Sequence, residues 1–137
     1  TIDYNIRKTW FNITKMDNRS AIDYKASTSL AMIVLNIDML EGTPSTQLGP
    51  NMGMESTSLS RSLNKLEKHG YIFRKPDHDD KRKSIIHLTK AGLAGREVAK
   101  EIVLEFNNKV FSHFEKSEMD IFFNVLKKIN QIINSDK

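Results

Sequence analysis

The chain has no cysteine among its 137 residues. That absence removes disulfides, thiolate nucleophiles, thiol redox sensing and cysteine-based zinc sites in one step. Long apolar runs are missing as well. The longest, Leu30 to Leu35, has six residues, whereas a transmembrane helix needs roughly 20, and no basic segment followed by an apolar stretch suggests a secretion signal. The expectation is a cytoplasmic protein with no membrane association. The six glycines are scattered, so no phosphate-cradling loop can be drawn, and no nucleophile with its base or paired set of carboxylates can be named. Neither enzyme nor cofactor is expected. His69, His78, His87 and His113 lack the spacing of a ligand set. The acidic run Asp77, Asp79, Asp80 fails as a calcium loop, because the later ligand and glycine positions hold Lys81, Arg82 and Leu88. No metal is expected.

With 39% hydrophobic and 28% charged residues, the composition is that of a folded globular chain rather than a disordered one. Its length suits one domain able to bury its own core. The net charge of +4 says little until it is located. From Ser56 to Lys90 there are nine basic residues against four acidic ones, a local +5, and the remaining 12 basic and 13 acidic residues nearly cancel. A basic excess gathered into about a quarter of the chain is the footprint expected of a polyanion binder.

Periodicity supplies the elements. Tyr4 to about Arg19 reads as an amphipathic helix carrying Ile6, Trp10, Phe11 and Ile13. After Ser27 or Thr28 as N-cap, Leu30, Ile33, Val34, Ile37 and Leu40 follow a helical period until Gly42. Thr43 and Pro44 read as cap and first-turn signals of a short third helix, interrupted by Gly49 and Pro50, with a turn at Asn51, Met52 and Gly53. From about Glu55 to His69, Leu59, Leu63 and Leu66 stack on one face, while Thr57, Ser58, Ser60, Arg61, Asn64, Lys65 and Lys68 occupy the other. Tyr71 to Lys75 and Ser84 to Leu88 read as a β-hairpin with a charged tip. Thr89 reads as the N-cap of a helix reaching about His113, in which Gly92 costs roughly 1 kcal/mol against alanine. Ser117, with Asp120 three residues on, resembles a capping box for a last helix striped by Phe122, Leu126, Ile129 and Ile133.

The order helix, short helix, turn, helix, β-hairpin is that of a winged helix-turn-helix, so the expected class is mainly α with a small β-hairpin wing. In that geometry the second helix of the motif enters the DNA major groove. Arg61 could fork to guanine, Asn64 could pair with adenine, Thr57, Ser58 and Ser60 could reach bases or phosphates, and Lys65 and Lys68 would meet phosphate.

The run Ser56-Thr57-Ser58-Leu59-Ser60-Arg61-Ser62-Leu63-Asn64-Lys65-Leu66-Glu67-Lys68-His69-Gly70-Tyr71-Ile72, with Asp79-Asp80-Lys81-Arg82 and Ile86-His87-Leu88-Thr89-Lys90-Ala91-Gly92, resembles the multiple-antibiotic-resistance regulator (MarR) family. The likeness extends over the whole chain in element order and is most specific from Leu48 to Gly92. It implies a homodimeric transcription regulator binding double-stranded DNA. Residues 27–90 would form the winged helix-turn-helix core, with residues 1–26 and 91–137 as N- and C-terminal dimerisation helices of a single domain. It also implies that Arg82 enters the minor groove, where narrow A·T-rich DNA concentrates negative potential, and that Asp80 steadies it. Lys81 and Lys83 would add phosphate attraction. Pro50 inside the first helix of the motif departs from the family pattern, as does Lys81 where arginine is usual, a change that keeps charge but loses the fork. A small-molecule effector pocket is implied too, for which Trp10, Phe11, Tyr24 and Met32 are candidates. The expected function is a ligand-responsive repressor acting on a pseudo-palindromic operator. Two other readings stay open: a winged-helix module that docks protein instead of DNA, and a small-molecule-binding helical protein whose basic patch is incidental.

Overall fold

A computed structural model describes residues 1–20 and 28–137 of the protein. Tyr24 and Ser27 lie outside the described residues. Among the described residues nine elements follow in order: α1 (Ile2–Ser20), α2 (Thr28–Asn36), β1 (Thr43–Pro44), α3 (Ser45–Met52), α4 (Ser56–Lys68), β2 (Ile72–Pro76), β3 (Ser84–Leu88), α5 (Lys90–Phe111) and α6 (Lys116–Ser135). The described residues separate into two compact units, Thr1–Ile102 and Val103–Lys137. Among them, no helix is long and apolar enough to cross a membrane.

The first unit is organised by apolar side chains recurring at three- and four-residue steps. Leu30, Ile33, Val34 and Ile37 come from α2 and the residue just past it, Leu48 from α3, and Leu59, Leu63 and Leu66 from α4. They meet Ile72 of β2 and Ile86 of β3 in one buried cluster. Each such side chain contributes about 1.5–3 kcal/mol by leaving water. The sheet lies at one edge of this core with strand order β1-β3-β2, both pairings antiparallel. Ile72 faces Leu88 and Pro76 faces Ser84, which sets the hairpin register.

Several local expectations are corrected. Helix α2 stops at Asn36, and Leu40 is 92% exposed instead of extending the buried stripe. Asp38 explains the stop: its Oδ1 accepts the N–H groups of Leu40 (2.9 Å) and Glu41 (2.8 Å), and its own N–H donates to Thr43 Oγ1 (2.9 Å). A side chain that offers the backbone such local partners competes with the helix. Those two N–H donors also hold the Asp38 carboxyl below its ordinary pKa.

Thr43 and Pro44 form a third strand against Ile86 and Ile85, with Pro44 serving as the residue before α3 rather than in its first turn. Helix α3 continues through Pro50 to Met52. It closes at Gly53, whose φ of 62° admits the left-handed turn. There Gly53 N–H donates to the Pro50 carbonyl (3.3 Å) and Met54 N–H to the Gly49 carbonyl (2.8 Å). The start of α6 also differs. The Glu118 carboxylate accepts Glu115 N–H at 2.9 Å, so that capping arm belongs to Glu115 and Glu118, not to Ser117 and Asp120.

Thr89 caps α5 as expected, its Oγ1 accepting Gly92 N–H at 3.0 Å. The same hydroxyl donates to the Gly70 carbonyl, and Thr89 N–H donates to the Tyr71 carbonyl at 3.0 Å. Gly92 is therefore pressed onto the chain entering β2, where a Cβ would stand 2.0 Å from the Tyr71 oxygen.

In the second unit, α6 and the end of α5 carry Phe111 and Phe123 edge to face, with ring centroids 6.4 Å apart. No residue of α6 is fully buried, and Ile121, Phe122, Val125, Ile132 and Ile133 are all exposed.

Two substitutions measure this packing. Leu63→Ala, at a site 2% exposed, should lose about 2–5 kcal/mol in chemical unfolding. Gly92→Ala should lower the thermal midpoint despite alanine's helix preference of about 1 kcal/mol; a raised midpoint would contradict the close approach to Tyr71.

Candidate nucleic-acid interface

Burial of Leu59, Leu63 and Leu66 forces the opposite side of α4 into solvent. Thr57, Ser58, Ser60, Arg61, Asn64, Lys65 and Lys68 are all exposed there. The helix has no acidic residue in its first turn, and Lys65 and Lys68 lie in its last. The result is a surface of short hydrogen-bonding groups that becomes cationic toward its C-terminal end.

The hairpin tip is built by acids that cap backbone. Asp77 Oδ1 accepts Asp79 N–H at 2.8 Å, while Asp77 N–H donates to the Lys83 carbonyl and Lys83 N–H to the Asp80 carbonyl, both at 2.9 Å. Asp80 Oδ1 accepts the backbone N–H of Arg82 and its Nε–H, each at 3.1 Å. These contacts turn the Arg82 guanidinium against Asp80 and leave 92% of the arginine side chain exposed. Lys81 and Lys83 are exposed beside it. The side-chain bond from Arg82, reinforced by its backbone N–H and the nearby Lys83 charge, holds the Asp80 carboxyl below its ordinary pKa.

The sequence reading missed one member of this surface, Arg74. Its Nη2 donates to Asn64 Oδ1 at 2.6 Å, and its Nε lies 3.4 Å from Glu67 Oε2. The signal was available: side chains alternate along a strand, so Arg74 falls on the same side of β2 as buried Ile72. A charged residue on an inward-facing position needs a partner.

The candidate effector residues divide. Trp10 and Met32 line one open cleft of about 460 Å³ together with Met52, Met54, Ser58 and Arg61. Phe11 is exposed and does not line that cleft, and Tyr24 lies outside the described residues. No group of three or more metal-ligating side chains comes together among the described residues.

The sequence pattern of the MarR family matches residues 27–84, the stretch that holds α2 to the end of the wing loop. The chain is 31% identical over 119 residues to the HTH-type transcriptional regulator SarZ of Staphylococcus aureus, covering 84% of this chain and 78% of that one. The chain belongs to the MarR family. A second relative, the HTH-type transcriptional regulator BilQ of Clostridium symbiosum, is 29% identical over 105 residues, which cover 77% of this chain and 73% of BilQ. The fold of this MarR-family chain also superimposes on MepR of S. aureus, solved as a DNA complex, with a TM-score of 0.88 at 18% identity over 97% of this chain and 98% of that one.

Asp80 has a defined sign. A carboxyl whose pKa is depressed on folding stabilises the fold at pH above its unfolded pKa, and that contribution disappears as pH falls through the folded value. In an NMR pH titration the Asp80 carboxyl should therefore titrate below the ordinary aspartate range. Arg82→Ala should raise its midpoint toward that range; an unchanged midpoint would contradict the clasp.

Proposed function

We propose that this MarR-family protein is a sequence-specific DNA-binding transcriptional regulator, acting as a homodimer and as a repressor that a small molecule releases. The observation that carries the reading is the exposed polar face of α4 opposite its three buried leucines, adjoining a basic wing. That face has the dimensions and chemistry for a major groove, which admits one α-helix. Arg61 forks to guanine, Thr57, Ser58 and Ser60 reach bases or phosphates, and Lys65 and Lys68 neutralise phosphate. Arg82, presented by Asp80, enters the adjoining minor groove, with Lys81 and Lys83 on the flanking backbone.

The dimer follows from apolar surface left uncovered. In α1, Ile6 and Trp10 are exposed, and in α6 so are Phe122, Phe123 and Ile133. Large exposed apolar patches mark association surfaces, and a two-fold dimer imposes a pseudo-palindromic site with half-sites roughly 10 bp apart. The cleft beside Trp10 and Met32 supports the effector role, because it is walled by Ser58 and Arg61 of the reading helix. A molecule bound there shifts the DNA-competent population only as far as it prefers the other state.

Fluorescence anisotropy with a labelled duplex tests the reading. Affinity should fall by more than tenfold from about 50 to 200 mM salt as counterions are released. Arg61→Ala should cost about 1–3 kcal/mol on the preferred sequence, and Arg82→Ala should also weaken binding. Lys65→Ala should weaken all sequences alike and reduce the salt slope by about one. Flat, weak binding that neither arginine affects would favour a protein-docking or small-molecule-binding module instead.

A further inference from the structure

A carboxamide has two unlike ends, one that accepts hydrogen bonds and one that donates them. A free asparagine uses both to pair with adenine, Oδ1 accepting from N6 and Nδ2 donating to N7. Asn64 is not free in this sense. Arg74 Nη2 lies 2.6 Å from one end of its amide. A guanidinium carries only donors, so the end it touches must be the oxygen, since the reverse orientation would set N–H against N–H. Arg74 is itself held. Its side chain is 31% exposed, its Nε is shut off from solvent 3.4 Å from Glu67 Oε2, and its backbone is fixed by the pairing of β2 with β3 opposite Ile86. Glu67 lies three residues beyond Asn64, on the same side of α4. The cation therefore cannot swing away without leaving a half-buried charge; Oδ1 keeps a second lone pair, but the guanidinium beside it repels the positive edge of a further donor, so Nδ2 is the end favoured for a ligand. The charge also polarises the amide, which strengthens Nδ2–H as a donor.

We propose that Arg74 is a positioning residue that holds Oδ1 of Asn64 and presents its Nδ2 donor to the groove, so that α4 reads an acceptor edge at that position, guanine N7 and O6 or thymine O4, and disfavours adenine. The inference rests on the DNA-binding reading of α4. Adenine would meet Nδ2 with N7 but would leave its N6 amino group facing no acceptor, whereas guanine presents two acceptors side by side.

Selection of bound duplexes from a randomised pool tests it, using the full chain and the variants Arg74→Met, Asn64→Ala and Asn64→Asp, with thermal melting as a check of folding. The wild type should enrich guanine or thymine at one position per half-site. Asn64→Ala should flatten that position, with a loss of order tenfold in discrimination. Arg74→Met should free Oδ1 and admit adenine there, leaving the other positions unchanged. Asn64→Asp, which keeps a partner for Arg74 but has no donor, should turn the preference to cytosine, whose N4 amino group donates. If Arg74→Met fails to fold, the wild-type preference decides: guanine or thymine at the position that Asn64→Ala flattens supports the inference, and adenine there overturns it. A purely structural Arg74 would lower affinity for every duplex and leave the preferred base unchanged, which also overturns it. Adenine preferred by the wild type at the Asn64 position would do the same. A wild type that enriches no motif would contradict the regulator reading and this inference with it, whereas an enriched motif untouched by Arg74→Met defeats the inference alone.

Discussion

Leu59, Leu63 and Leu66 cannot remain in water without forfeiting several kcal/mol, and their burial determines how α4 is turned about its axis. Rotating the helix by one residue, about 100°, would drag Ser60, Asn64 or Glu67 into an apolar core containing Ile33, Ile72 and Ile86. The penalty for that exchange holds the polar side of the helix outward, and the Arg74 contacts to Asn64 and Glu67 only add to it. The surface proposed for DNA is therefore produced by the core beneath it. The seams around α4 reinforce the setting, since Gly53 closes α3 before it, and Thr89 and Gly92 lock α5 against the chain leaving it at Gly70 and Tyr71.

Electrostatics then divides the work between two neighbouring elements. The wing carries acids as well as bases, and two of its three acids are engaged locally: Asp77 caps the loop N–H groups and Asp80 clasps Arg82, while Asp79 stays exposed beside His78. Among the groups facing outward, Lys81, Arg82 and Lys83 outnumber the one exposed carboxylate, Asp79, so the tip remains basic. A surface pair such as Asp80 and Arg82 adds little stability by itself; in the role proposed for Arg82 its consequence is directional, because the guanidinium would be aimed before DNA arrives and less side-chain entropy would be lost on binding. Arg74 and Asn64 follow the same logic on the helix.

Much of this was legible in the sequence. The helical period of the leucines located α4 and both its faces, the Gly70 stop and the Thr89 cap fell where local chemistry put them, and the localised +5 segment marked the basic surface. What escaped depended on partners distant in sequence. The strand at Thr43 and Pro44 exists only because Ile85 and Ile86 pair with it, and two residues carry no periodicity of their own. Gly92 read as a helix penalty because its real constraint, the Tyr71 carbonyl, arrives from another element. Leu40 kept helical phase with Ile33 and Ile37 but lost the helix to Asp38. Asn64 was legible as an exposed polar residue; that Arg74 claims its oxygen was not, since the pair is ten residues apart across a turn.

Backbone amide NMR of the chain titrated with a DNA duplex at low salt locates the binding surface most directly. The largest shift changes should fall on Ser56–Lys68 and on residues 77–83, the helix face and the wing tip together. Changes confined to the apolar faces of α1 or α6, or none at all at saturating duplex, would contradict the assignment of this surface to DNA.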